Sequence, residues 1–186
     1  MNNLKNFITN LVKKHDAKNV AERHDLFVIN NCRIPETIIN KINCKEWNSE
    51  LINKEKLLEL VKHNYPFQDE KCEIDWNFIN QLMLYPIELM KSETNGIKKW
   101  VNTKNELMFI GKIDTGHVPG KIDINRSILI ADFGNGFDTV IALDFSESSQ
   151  NPSVIFSYWS SHPEVNVTWI KIAENYCNFE ELVWLK

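Results

Sequence analysis

From about Leu107 onward the sequence gives up helical spacing for short runs of alternating, β-branched and aromatic residues. No other feature limits the fold as much. ELMFIGKI, SILIAD, TVIALDF, SVIFSYW and VTWIKI have the composition of strands. The gaps between them carry the turn signals DTGHVPG, FGNG, SSQNP and SSHPE. A run of hairpin-linked strands implies an antiparallel sheet in the second half of the chain.

The first half reads as helices. Leu4, Phe7, Ile8, Leu11 and Val12 recur at helical spacing, and PETIINKI after Pro35 is a second helix. NKEKLLELVKH is a third, with Leu57, Leu58 and Val61 on one face. Asp75 is placed to cap WNFINQLMLY, with Ile79, Leu82 and Met83 facing inward. Pro86 then stops that helix and begins another turn through Ile87 and Met90. NFEELVWL closes the sequence as a short helix, with Asn178 as cap, Glu181 completing a capping box, and Phe179, Leu182 and Val183 on a shared face. The expected class is α+β: a mainly antiparallel sheet of about five or six strands in the C-terminal half, packed with N-terminal helices and a short C-terminal helix. The expected division is a helical part, residues 1–85, packed on an α+β core, residues 86–186.

Size and charge narrow the function classes. A chain of 186 residues, 43% hydrophobic, buries roughly 70% of the surface its unfolded form exposes, so it needs no metal or disulfide staple. Cys32, Cys44, Cys72 and Cys177 are scattered, with no Cys-x-x-Cys pair, and Cys32 and Cys177 are expected in the core. The opening MNNLKNFITNLVKKHD has no apolar run of signal-peptide or membrane length, which points to a cytoplasmic protein with reduced thiols and no membrane partner. A formal charge of −4 disfavours a nucleic-acid binder, which needs a basic footprint. The charge is uneven: residues 127–170 contain no Lys or Arg but hold Asp132, Asp138, Asp144, Glu147 and Glu164.

IADFGNGFD contains Asp132-Phe133-Gly134, the triplet with which protein kinases hold magnesium. The upstream phosphate loop, strand lysine and catalytic-loop Asp and Asn that a kinase requires are missing, and the chain is too short for two lobes. The segment reads instead as a tight turn between strands, its Gly and Asn residues tolerating positive φ. His15, His24, His63, His117 and His162 are isolated, and none has ligand spacing. Asp132, Asp138 and Asp144 do not match a calcium-loop spacing and read as solubilising charges on a sheet face or edge. No catalytic residue, metal or cofactor is expected, although His117 and Asp132 mark the region where a loop-borne enzyme site would lie.

The strand–turn–strand IADFG-x-G-x-D, followed by IALDF, NPSVIFSYW and VTWIKIAENYCNFEELV, resembles the SUKH superfamily. That group includes yeast cell-wall-synthesis regulators and many bacterial immunity proteins. The matching pieces are Ile128–Asp132, Gly134–Asp138, Val140–Asp144, Val154–Trp159 and Phe179–Leu185, with Leu107 to Gly116 similar to the family's preceding strand. Ile34-Pro35 and Asn95-Gly96 stand at unusual separation for the family's early Ile-Pro and Asn-Gly-Gly elements. The resemblance implies a non-enzymatic protein that neutralises a cognate toxin, such as a nuclease or deaminase, by binding it. An acidic strand-and-loop region matches the basic surface such a toxin needs for phosphates. The residues expected to contact the partner are Asp132, Asp138, Asp144 and Glu147, with Trp159 as an aromatic anchor. The alternative is an intracellular regulator or scaffold that binds a host protein other than a toxin.

Overall fold

The strand-rich runs of the second half build most of one antiparallel sheet, and the helices cover both of its faces. A computed structural model of the chain describes residues 27–64, 76–105, 109–111, 119–134, 139–159 and 167–185. The first helix expected from sequence, Leu4 to Val12, lies outside the described residues, as does Asp75.

A hairpin comes first, β1 (Val28–Ile29) and β2 (Cys32–Arg33). Its two turn residues, Asn30 and Asn31, both have positive φ (52° and 59°), as a two-residue primed turn requires and as asparagine tolerates. There follow α1 (Glu36–Asn43), α2 (Lys54–Asn64), a 3₁₀ helix at Trp76–Gln81, β3 (Met83–Leu84) and α3 (Ile87–Trp100). Then come β4 (Pro119–Gly120), β5 (Ser127–Asp132), β6 (Val140–Asp144), β7 (Ser153–Trp159), β8 (Val167–Ala173) and α4 (Tyr176–Val183). The sheet order is β3-β5-β6-β7-β8-β4, with every neighbouring pair antiparallel. The protein is therefore α+β, with the sheet and short final helix placed as the sequence implies.

Cross-strand partners share a face, so the register sorts the core into two layers. Ile141, Phe156 and Ile170 lie in line on one face. There Phe78 of the 3₁₀ helix stacks on Phe156 at 6.3 Å and meets the edge of Phe133 at 5.2 Å. Leu129, Ala142 and Ile155 lie in line on the other face. That face also carries Trp169, whose ring meets Phe109 at 5.2 Å, and Phe109 in turn meets Trp100 at the end of α3. α3 is tied down where the Thr94 hydroxyl accepts the Leu129 amide. With both faces covered, every residue of β5 and β6 is buried. Each fully buried large apolar side chain contributes about 1.5–3 kcal/mol relative to exposure.

Both rims of the sheet are occupied. The Leu84 amide of β3 donates to Ser49 Oγ (2.8 Å), and the Trp47 indole donates to the Tyr85 carbonyl (2.8 Å). At the opposite rim, β4 begins with Pro119, which has no amide to offer. Gly111 bridges to Lys121, and the Ile122 amide donates to the Ile110 carbonyl.

Several local expectations change. Leu82 to Tyr85 does not continue a helix: Met83 and Leu84 pair with Asp132 and Ala131 as an edge strand, and Met83 is exposed. The part before Pro86 thus contributes a strand to the sheet as well as helices. α3 runs through Asn95-Gly96 for 14 residues, because Met90, Thr94 and Ile97 form a buried face. Burying that face outweighs the ~1 kcal/mol a mid-helix glycine costs. Phe109 and Ile110, expected in a strand, are helical. α4 begins earlier than expected: Asn175, not Asn178, is its cap, and its side chain accepts the Asn178 amide (2.9 Å). Cys177 is exposed rather than in the core, whereas Cys32 is buried.

Candidate functional site

The acids expected to meet a partner divide between the interior and the surface. Asp132 ends β5 and is only 8% exposed. Its Oδ2 accepts the Tyr85 hydroxyl (2.9 Å), and its Oδ1 accepts the Gly134 amide (2.9 Å). Gly134 has φ +79°, and a Cβ there would lie 2.8 Å from Gln81 Oε1, so the turn after β5 requires glycine for both conformation and space. Burial, then the Asp132 carboxylate beside it, push the Tyr85 hydroxyl far above the ordinary tyrosine value. Asp144 ends β6, is 5% exposed, and accepts both the amide (3.0 Å) and the hydroxyl (2.6 Å) of Ser146 through Oδ1. Both of these expected contact residues are therefore buried side chains. Their oxygens bind the chain's own turns, and neither presents a charge to solvent.

Glu147 is exposed and pairs with Lys171 (3.1 Å), a lysine that also meets Glu174 (3.4 Å). Burial works against the Lys171 charge, but its bonds to the two glutamates prevail and raise its pKa. Trp159 is the last residue of β7, opposite Val167, and its side chain lies outside the described part of the structure. Asp138, Glu164, His117 and His162 also lie outside the described residues.

The surface carries a feature that helical periodicity concealed. Among the described residues, the large hydrophobics left exposed are Leu51, Met83, Leu182 and Leu185. Three of these four gather where the C-terminal end of α4 meets the chain before α2. The Leu185 amide donates to the Leu51 carbonyl (2.7 Å), and Ile52 bridges to Trp184. Leu182, 52% exposed, lines a groove with Leu60 and His63 of α2. Next to the leucines Trp184 stacks on Trp47 at 5.3 Å, with Lys41 Nζ 4.6 Å from the Trp184 ring and paired to Glu180 at 3.0 Å. Glu50 and Glu181 are exposed beside these leucines in sequence. The pattern of α4 pointed to Leu182 as a core residue. Only the turn of the helix against β8, which buries Phe179 and Val183, leaves it outside.

A cleft of about 250 Å³, with a mixed polar and apolar lining, lies between the starts of α1 and α4 and the β6–β7 connection, with Arg33, Ile34, Thr37, Asn151, Pro152 and Tyr176 in its walls. Among the described residues no group of three His, Cys, Asp or Glu side chains is placed to hold a metal ion. No described helix is long and apolar enough to cross a membrane. Comparisons with protein-family models, with curated proteins and with solved structures find no match to this chain.

Proposed function

We propose that this chain is a non-enzymatic protein-binding protein of the immunity type, which neutralises a cognate toxin domain, such as a nuclease or deaminase, by covering its active-site surface. The observation that carries protein binding is the gathering of Leu51, Leu182 and Leu185 at the surface beside the stacked Trp47 and Trp184. Exposed apolar side chains with aromatic neighbours are the composition of interface hot spots. Glu50 and Glu181 beside them, with Glu147 elsewhere on the surface, provide negative charge for a basic partner. The toxin class rests on the sequence resemblance. The buried Asp132 and Asp144 have no part in the contact.

The test is capture with tagged protein in its own host cells, comparing the natural chain with the Leu182→Asp, Leu185→Asp double variant. Both side chains are about half exposed, so the variant is expected to fold with stability within about 0.5 kcal/mol of the parent. Loss of the leucine contacts is expected to weaken binding on the order of 30-fold, the scale of an interface hot spot. A captured protein that arrests growth when produced alone, and is silenced by this chain but not by the variant, supports the reading. Capture of a protein without toxicity moves the assignment to a host-protein regulator. Equal capture by both chains removes the leucine surface from the interface.

A further inference from the structure

We propose that residues 4–14 of this chain dock as a helix on the leucine surface, on the same face that binds a partner. The inference rests on the reading of that surface given above and adds its resident occupant. Leu51–Asn53 and Val183–Leu185 run antiparallel. The Asn53 amide donates to the Val183 carbonyl (2.6 Å), the Leu185 amide donates to the Leu51 carbonyl (2.7 Å), and Ile52 bridges to Trp184. Side chains alternate along such a pair, so Ile52 is buried while Leu51 and Leu185 both stand outside. Leu182, three residues before Leu185, continues the patch into a groove of about 380 Å³ formed with Lys56, Glu59, Leu60 and His63 of α2. An apolar row beside a groove is the receiving half of a helix-in-groove contact.

Charge selects the occupant. Near the patch Lys56 pairs with Glu59 (2.7 Å) and Lys41 with Glu180 (3.0 Å). Glu50 and Glu181 are exposed and pair with no cation among the described residues. The surface therefore complements an apolar stripe with positive borders. Residues 4–14, LKNFITNLVKK, hold three lysines and no acid. At about 100° per residue Leu4, Phe7, Ile8, Leu11 and Val12 form one stripe, and Lys5 and Lys14 fall on its two borders. A helix this short is marginal alone in water, so the stripe needs an apolar face to lie on. Reach is no obstacle: residues 15–26 extend to roughly 40 Å, against a radius of gyration of about 16 Å for a compact chain of this size. A second copy fits worse, because pairing the patch with itself brings Glu50 and Glu181 towards their own kind. The docked segment keeps the leucines out of water until a partner displaces it.

The experiment uses the full chain with the photo-cross-linker benzoylphenylalanine in place of Leu182, or of the exposed Asn125 as control, and maps the products by mass. Position 182 is expected to join residues 4–14 within single chains, and position 125 is not. Phe7→Asp with Leu11→Asp is expected to cut the product on the order of tenfold, the effect of losing two apolar anchors. Lys5→Glu with Lys14→Glu leaves the stripe intact and is expected to cut it severalfold; adding Glu50→Lys with Glu181→Lys is expected to restore it. The charge variants decide the matter if the apolar variant does not fold. No product from position 182, or equal product from both positions, overturns the proposal. A product that joins two copies overturns it in favour of a homodimer, and a product that no variant changes overturns it as mere proximity. None of these readouts needs a partner. A cross-link without a captured partner sinks the partner reading alone, and a captured partner without a cross-link sinks the docked segment alone.

Discussion

Asp132 shows how one side chain stands for two opposite readings. In sequence it is an acid in a stretch without Lys or Arg, and such a stretch reads as a solvated, negatively charged surface. In the fold its carboxylate joins the end of β3, through the Tyr85 hydroxyl, to the turn that follows β5, through the Gly134 amide. The alternation of SILIAD gave no warning, because both faces of this strand are buried and period two no longer separates inside from outside. The Asp132 role becomes testable by removing its donor. Tyr85→Phe keeps the ring and takes away one bond to a buried carboxylate, so a loss of roughly 1–3 kcal/mol is expected in urea unfolding. A change near zero would show that the Tyr85–Asp132 bond contributes nothing. Asp132→Lys is expected to unfold the protein outright, for it places an unpaired cation in the same cavity.

Elements were legible where pattern and burial agree. β5 to β8 follow the apolar runs SILIAD, TVIALDF, SVIFSYW and VTWIKI closely, and α2 follows NKEKLLELVKH with Leu57 and Val61 buried. The elements that were missed are those in which distant partners overrule local preference. β3 and β4 have only two residues each, too few to show any period, and exist because β5 and β8 offer open edges. α3 extends well past the turn through Ile87 and Met90 that local spacing shows, because burial of Met90, Thr94 and Ile97 carries it through Asn95-Gly96. Two glycines separate the local from the imposed. Gly96 has open space at its missing Cβ, so Gly96→Ala is expected to stabilise α3 by about 0.5–1 kcal/mol. Gly111 has φ +84°, and a Cβ there would collide with the Gly120 carbonyl oxygen. Gly111→Ala is expected to destabilise by more than about 1 kcal/mol. Thermal melting of both variants checks the pair. The leucine cluster shows the same limit at the surface: in NFEELVWL the stripe of α4 is wide enough to include Leu182, and only the packed orientation of the helix decides which apolar side chain stays wet.

At the scale of the whole molecule, two tyrosines among the described residues, Tyr85 and Tyr176, have hydroxyls that burial pushes well above the ordinary value, helped by Asp132 in one case and Glu180 in the other. Both are neutral in folded and unfolded chains below about pH 10, so their contribution is fully present there. Above that pH the unfolded chain ionises while the folded one does not. Stability is therefore expected to fall as pH rises past 10, by roughly 1.4 kcal/mol per pH unit for each tyrosine. Urea midpoints across that range, with Tyr176→Phe lowering the slope by about half, check the prediction. The occupied rims of the sheet have a further consequence. Many proteins recognise extended peptides by adding them as an extra strand, and many aggregate by the same route when an edge lies open. Here Ser49 and Trp47 hold the backbone groups at one rim, and Pro119 with the Ile110–Gly111 segment closes the other. Among the described residues this sheet offers no open rim, so the recognition proposed above runs through side chains and the shape of a surface rather than through main-chain pairing with this sheet.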